Sequence, residues 1–388
     1  MIVKPVRLEA LTSMRFFASA AVVFLHSRPF FETTKNLYAE APLHYGVTFF
    51  FVLSGFILTY VYRDLQPVAR VDFWIARIAR IWPAHIFALC LFLLLIPSEQ
   101  WTWDGANVPA VTMSNLFLLQ SIIPIPEYYF SYNGVSWSVS TEVFFYVAFP
   151  YLIINFSSTW LRKLLLSMSI VLIILSVSCL FDLPSFSPDK FLDVTSHGMI
   201  YISPLTRILE FIIGMAAASF VIECRWINII CKFNNKWVIY TLFEVLALLL
   251  ALYMATYLSR VAGAFGGKLE TPLVTWVMHS SGAIFFAVLI AVISMQKGLI
   301  SSFLKYRLFV VFGEISFSLY LIHQVLIRFY VSNIGLFYNV PDLFRVFIYW
   351  LLCLMFSFII WRFFEVPVRE YLRTSLSKIY HAAFAPQS

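Results

Sequence analysis

Charged side chains are scarce in this 388-residue chain. Asp, Glu, Lys and Arg together make up 12% of it, about half of what a soluble domain carries. That scarcity excludes a solvated globule, and the 61% of residues drawn from the AVILMFWYC set points to a lipid bilayer instead. Cysteine is sparse as well. Cys90, Cys179 and Cys353 fall in apolar runs and Cys224 and Cys231 in a basic loop, so neither a metal-ligand spacing nor a disulfide framework is present. There is no internal repeat, no low-complexity tract and no polar stretch of domain size, which leaves the chemistry to membrane helices and their loops. In such a composition the net charge of +7 is no nucleic-acid signal; how it is distributed matters more.

A helix needs about 20 apolar residues to cross the hydrocarbon core. Ten runs qualify: 9–28, 44–62, 81–97, 138–156, 162–181, 204–222, 237–258, 273–295, 309–330 and 344–364. The sequence therefore predicts an all-α polytopic membrane protein, a bundle of about ten transmembrane helices within residues 1–370, followed by a short basic cytoplasmic tail, 371–388. The first run follows Lys4 and Arg7, yet it carries Arg15 and continues past any cleavage position, so it reads as a retained span. With the N-terminus inside, eighteen Lys and Arg fall in cytoplasmic segments and five in outer ones. That bias predicts both termini in the cytoplasm and a multi-pass protein of the cytoplasmic (inner) membrane.

The outer loop from Ser98 to Ser136 has no Lys or Arg. Within it, 111–125 is apolar but interrupted by Ser114, Asn115, Gln120 and Pro124, and reads as a re-entrant or interfacial segment. Its rings, among them Trp101, Trp103, Tyr128 and Tyr132, read as an aromatic belt at the headgroups, with the wall of a sugar site as the alternative.

Against this apolar background the polar residues stand out. Arg15 and His26 are eleven positions apart, which returns a helix to within about 20° and advances it about 16 Å, so both lie on one face. An arginine in a bilayer costs at least about 2.5 kcal/mol and normally faces protein, water or ligand. Arg77 and Arg80, ahead of Ile81-Trp82-Pro83, share a face at i and i+3 and can clamp one anion, just before the third run. Glu142 lies about one turn inside the fourth run, behind Trp137; a carboxylate there needs a partner, and one paired to a histidine would hold the imidazole's tautomer. Ser316, Tyr320 and His323 form a polar stripe on the ninth run. Ser54-Gly55 in the second run marks close helix contact, with Ser54 also able to offer a hydroxyl.

These motifs, in this order, resemble acyltransferase family 3: Arg15 and His26, Ser54-Gly55-Phe56, Arg77-x-x-Arg80 with Ile-Trp-Pro, Trp137 with Glu142, the run ending in His323, and the closing Phe364-Glu365-Val-Pro367. The resemblance covers about residues 8–370. It implies a ten-helix membrane enzyme that moves an acyl group, most often acetyl from acetyl-CoA, to a hydroxyl of an extracytoplasmic or lipid-linked glycan acceptor. It also implies that His26 and Arg15 belong to the catalytic centre, where Glu142 would orient His26 and His323 would take part. Arg77 and Arg80 would bind the CoA phosphates, with Ser54, Trp137 and Tyr320 completing the donor site. No metal is required, no nucleic-acid partner is expected, and homo-oligomerisation is left open. The other reading of the same intramembrane charges is a proton-coupled transporter or flippase, with Arg15, His26, Glu142 and His323 as the relay. Release of free CoA in the presence of acceptor separates the two.

Overall fold

The computed structural model describes residues 7–37, 41–66, 69–186, 188–223, 236–266 and 272–384. Lys4, Arg225, Lys232 and Lys268 of the charge count, and Cys224 and Cys231, lie outside the described residues. Among those described the structure is helical, with no strand. The long helices are α1 (Glu9–Ser27), α2 (Tyr45–Tyr62), α3 (Arg70–Leu95), α4 (Trp137–Leu152), α5 (Phe156–Leu180), α6 (Pro204–Glu223), α7 (Lys236–Gly266), α8 (Pro272–Ser280), α9 (Ala283–Ser294), α10 (Arg307–Ser332), α11 (Asp342–Ile360) and α12 (Val366–Phe384). Among the described residues nine helices are long and apolar enough to cross a membrane, α8 and α9 counting as one interrupted span and α11 with α12 as another.

The tenth predicted span is α4, and at 16 residues it is only about 24 Å long. Neighbouring pairs show that it crosses nonetheless. Gly313 meets Thr12, Ser19 donates to the Ser316 carbonyl and His26 meets His323, so α1 and α10 run in the same direction. An odd number of crossings must lie between two helices that run the same way; α2, α3, α5, α6, α7 and the α8–α9 span make six, so α4 supplies the seventh. Accordingly, α4 lies antiparallel to α3, Phe73 stacking on Phe149 at one end and Phe92 meeting Tyr132 just before α4 at the other.

Close backbone contact sets the central helices. A Cβ at Gly55 would fall 2.0 Å from the Phe211 carbonyl oxygen and one at Gly214 1.9 Å from that of Val52, so α2 and α6 touch through glycine as expected of Ser54-Gly55. In lipid, where burial of apolar surface gains little, such close approach is what holds helices together. Aromatic rings fill the remaining centre: Phe145 packs against Phe51 and Phe211.

Two expectations need correction. First, α3 begins at Arg70, eleven residues before the third apolar run, so Arg77 and Arg80 sit inside a 26-residue helix and not ahead of one. Second, the outer loop folds inward. It carries a short helix, Val108–Leu116, capped by Asn107, and a single helical turn, Pro126–Tyr129, and Tyr129 and Tyr132 are buried in the bundle's end and not set in a headgroup belt. The basic tail, for which the sequence made no structural expectation, is largely helical. α12 lies against α3, where Asp72 accepts from Ser377 (2.7 Å) and pairs with His381 (3.1 Å).

The candidate acyl-transfer site

Two cavities lie along α1 and α10. The first, about 200 Å³, is lined by Arg15, Ser54, Arg77, Arg80, Glu142 and Tyr320, among others. Arg15 comes from α1, Arg77 and Arg80 from successive turns of α3, and Glu142 from α4. Glu142 accepts from Ser54 (3.1 Å) and from Tyr146 (2.5 Å), and these two donors fix the carboxylate. Arg77 donates to the Tyr62 hydroxyl (3.1 Å) and lies over the rings of Tyr62, Phe73 and Tyr146. Among the described residues none of the three guanidinium groups has a carboxylate within 4.0 Å. Three cations and one carboxylate leave this wall with a surplus of positive charge, which suits a polyanion held by charge-assisted hydrogen bonds.

The second cavity, about 340 Å³, is lined by His26, Trp103, Trp137, Phe186, Gln324 and Arg328, among others. His26 Nδ1 stands 3.0 Å from His323 Nε2, the two rings within 12° of parallel. His323 is fully buried, and its Nδ1 is 3.3 Å from the Leu319 carbonyl. A carbonyl only accepts. The His323 proton therefore sits on Nδ1, its Nε2 accepts from His26 Nδ1, and the lone pair of His26 is left on Nε2. This assignment, read from the hydrogen-bond network, equips His26 to take a proton from a group bound in the second cavity.

Between the cavities runs a thin partition. Val135 and Trp137 face the second cavity, Ser138 and Val139 the first. Tyr320 closes it, its hydroxyl 2.7 Å from Ser138 Oγ and donating to the Val135 carbonyl (3.4 Å). The Tyr320 ring is 5.8 Å from that of His323. The arginine cavity and the histidine pair thus stand back to back, with Val135–Val139 between them.

The family model described as an acyltransferase domain matches residues 8–362, a stretch that includes every residue of both cavities named above. The chain belongs to acyltransferase family 3. Over 382 residues it is 22% identical to O-acetyltransferase OatA of Staphylococcus aureus, covering 94% of this chain and 58% of that protein. Over 152 residues it is 36% identical to acyltransferase MdmB of Streptomyces mycarofaciens, covering 37% of this chain and 39% of that protein. The chain thus spans less than two thirds of the length of the curated relatives it matches. No solved structure matches it.

For this family 3 chain, the structure gathers Arg15, Ser54, Arg77, Arg80, Glu142 and Tyr320 in one cavity and His26 with His323 beside the other. Two expected roles move. Glu142 does not orient His26, because Ser54 and Tyr146 hold it among the arginines; His323 stands in that place. Trp137 lines the histidine cavity and not the arginine cavity. Sequence reasoning missed Tyr62, Tyr146, Gln324 and Arg328. The last two had a readable signal, since Gln324 and Arg328 are four apart on the same helix as His323 and so share a face.

Proposed function

We propose that this protein transfers an acyl group, acetyl in the first instance, from cytoplasmic acyl-CoA to a hydroxyl of an extracytoplasmic or lipid-linked glycan. The observation that carries the reading is the pairing of an unneutralised three-arginine cavity with a histidine base across a partition one residue deep. Arg77 and Arg80 bind phosphate oxygens of the donor, and Arg15, further along α1, meets the pantetheine arm or the oxyanion that forms on its thioester. Glu142, fixed by Ser54 and Tyr146, keeps the three like charges apart and aimed. His26 Nε2 removes the proton of the acceptor hydroxyl. The alkoxide oxygen forms its bond to the acyl carbon, the C–S bond breaks, and the proton passes from His26 to the CoA thiolate. His323 holds the His26 ring and stabilises its charged form by accepting from Nδ1, the part a carboxylate plays in a His–Asp pair. The relatives' names, O-acetyltransferase and acyltransferase, support the reaction class. The excess of Lys and Arg on one side of the chain supports a cytoplasmic donor.

In oriented proteoliposomes, acetyl-CoA on the cytoplasmic face alone is expected to label an acceptor confined to the opposite face. Labelling that requires both on one face overturns the through-membrane arrangement. His26→Ala is expected to lower transfer by about a hundredfold to ten-thousandfold, the usual worth of a general base, while CoA binding persists. Wild-type turnover in that variant removes His26 from the reaction.

A further inference from the structure

The second cavity has a chemistry of its own. Of the residues that line it, Arg328 is the only cation and none is a carboxylate. Arg328 makes no ion pair among the described residues. It is nevertheless held in place: it donates to the Gln100 carbonyl (3.2 Å) and its guanidinium lies over the Phe92 ring at 5.6 Å. Gln100 is itself fixed, its side-chain oxygen accepting from Ser332 (3.0 Å). A guanidinium has five N–H donors, and one protein carbonyl satisfies only part of that fork. Its neighbour on the same face, Gln324, offers both a donor and an acceptor.

Much of the remaining lining is aromatic. Trp103 stacks on Phe191 with centroids 3.4 Å apart, and Phe186 sets its edge against both Phe191 and Phe130. Flat apolar faces opposite a few aimed polar groups are how a pocket holds a ring that is apolar on its faces and polar at its rim. On α10, Arg328 stands five residues beyond His323, which is about 7.5 Å along the axis. That offset is roughly one hexose ring with its substituents away from the histidine pair.

We propose that the second cavity selects an acidic sugar. The ring lies against Trp103 and Phe186, the hydroxyl to be acylated lies at His26, and a carboxylate or phosphate one ring-width away lies on Arg328, with Gln324 bonding a neighbouring hydroxyl. The inference rests on the acyl-transfer reading above and adds the charge of the acceptor, which that reading leaves open.

The test uses purified full-length protein in nanodiscs, radiolabelled acetyl-CoA and three matched acceptors: a neutral hexoside, the corresponding uronic acid and the corresponding hexoside phosphate. Wild-type kcat/KM is expected to favour one or both acidic acceptors by about tenfold to a hundredfold, the usual worth of a charge-assisted contact. Which of the two is preferred distinguishes carboxylate from phosphate. In Arg328→Gln the ratio of acidic to neutral acceptor is expected to fall towards one, and Arg328→Lys to restore part of it. CoA affinity, measured on each variant, reports whether it is folded. A wild-type ratio near one overturns the proposal, as does an unchanged ratio in folded Arg328→Gln. Should wild type bind CoA yet label none of the three, the acyl-transfer reading fails, and the acidic-acceptor inference with it.

Discussion

Arg207 and the set Arg15, Arg77 and Arg80 are all arginines set among membrane helices, and they are treated in opposite ways. Arg207 is wholly buried and 2.7 Å from Glu210, one turn along α6. The nitrogen at that distance, Nη1, also donates to Ser280 Oγ (2.8 Å) and the His279 carbonyl (3.2 Å), and Nη2 donates to Thr48 Oγ1 (3.2 Å). That carbonyl belongs to the end of α8, where the span breaks at Ser281-Gly282 before α9 resumes. A helix ending inside a membrane leaves carbonyls without donors. Here Val277 is served by Tyr45, Met278 by His44, and His279 by Thr48 and Arg207. Among the described residues the other three arginines have no carboxylate partner within 4.0 Å, and they line a cavity. A membrane arginine neutralised by a carboxylate one turn away and spent on capping a broken helix is part of the frame; one left with charge to spare points to something that binds.

Removing Glu210 tests this contrast most severely. Glu210→Ala strands the Arg207 charge, and about 3–5 kcal/mol of stability is expected to go with it. A fluorescence thermal-shift or size-exclusion assay in detergent should show unfolding or a large drop in Tm, and an unchanged Tm would break the comparison. Arg207→Met with Glu210→Met removes both charges and should regain part of that loss, the remainder reflecting the lost bonds from Arg207 to the His279 carbonyl, Ser280 and Thr48. Arg77→Ala and Arg80→Ala are expected to do the reverse, leaving Tm near wild type while weakening acetyl-CoA binding by about 1.5–3 kcal/mol, the worth of a hydrogen bond to a charged group. Equal donor affinity in wild type and both variants, by calorimetry, would place the phosphates elsewhere. The smallest effect is assigned to Ser54→Ala. It removes one of two donors to Glu142 and should cost about 0.5–1.5 kcal/mol in donor binding; an effect as large as that of the arginine variants would make Ser54 a direct ligand.

Much of this was legible in the residues because periodicity and charge cost are local matters. The eleven-residue interval placed Arg15 and His26 on one face of α1, and the Ser316, Tyr320 and His323 stripe does turn towards the neighbouring helices and the cavities. Gly55 was readable because only a residue without a side chain admits a carbonyl at 2.0 Å. Partnership was not legible. Whether Glu142 meets His26 or Ser54 depends on how α4 lies against α2, a contact between residues 88 positions apart. Nor was the partition, since Val135–Val139 presents residues to both cavities only after the outer loop has folded onto the bundle. The start of α3 was misplaced because hydropathy ends where the bilayer does, whereas a helix continues as long as its backbone bonds are made. The aromatic loop was misread for a related reason: tyrosine and tryptophan suit a headgroup belt and a buried cap equally well.

The partition closed by Tyr320 also bears on the energetics of the membrane as a whole. Moving one elementary charge across a membrane potential involves about 2.3 kcal/mol per 100 mV, and a nucleotide donor carries several. An acyl group carries none. On the proposed reading, the layer of side chains between the arginine cavity and the histidine cavity would let a neutral fragment be handed across while the charged remainder stays on its own side. Chemistry would then proceed without a pore, drawing nothing from the voltage and opening no leak for ions.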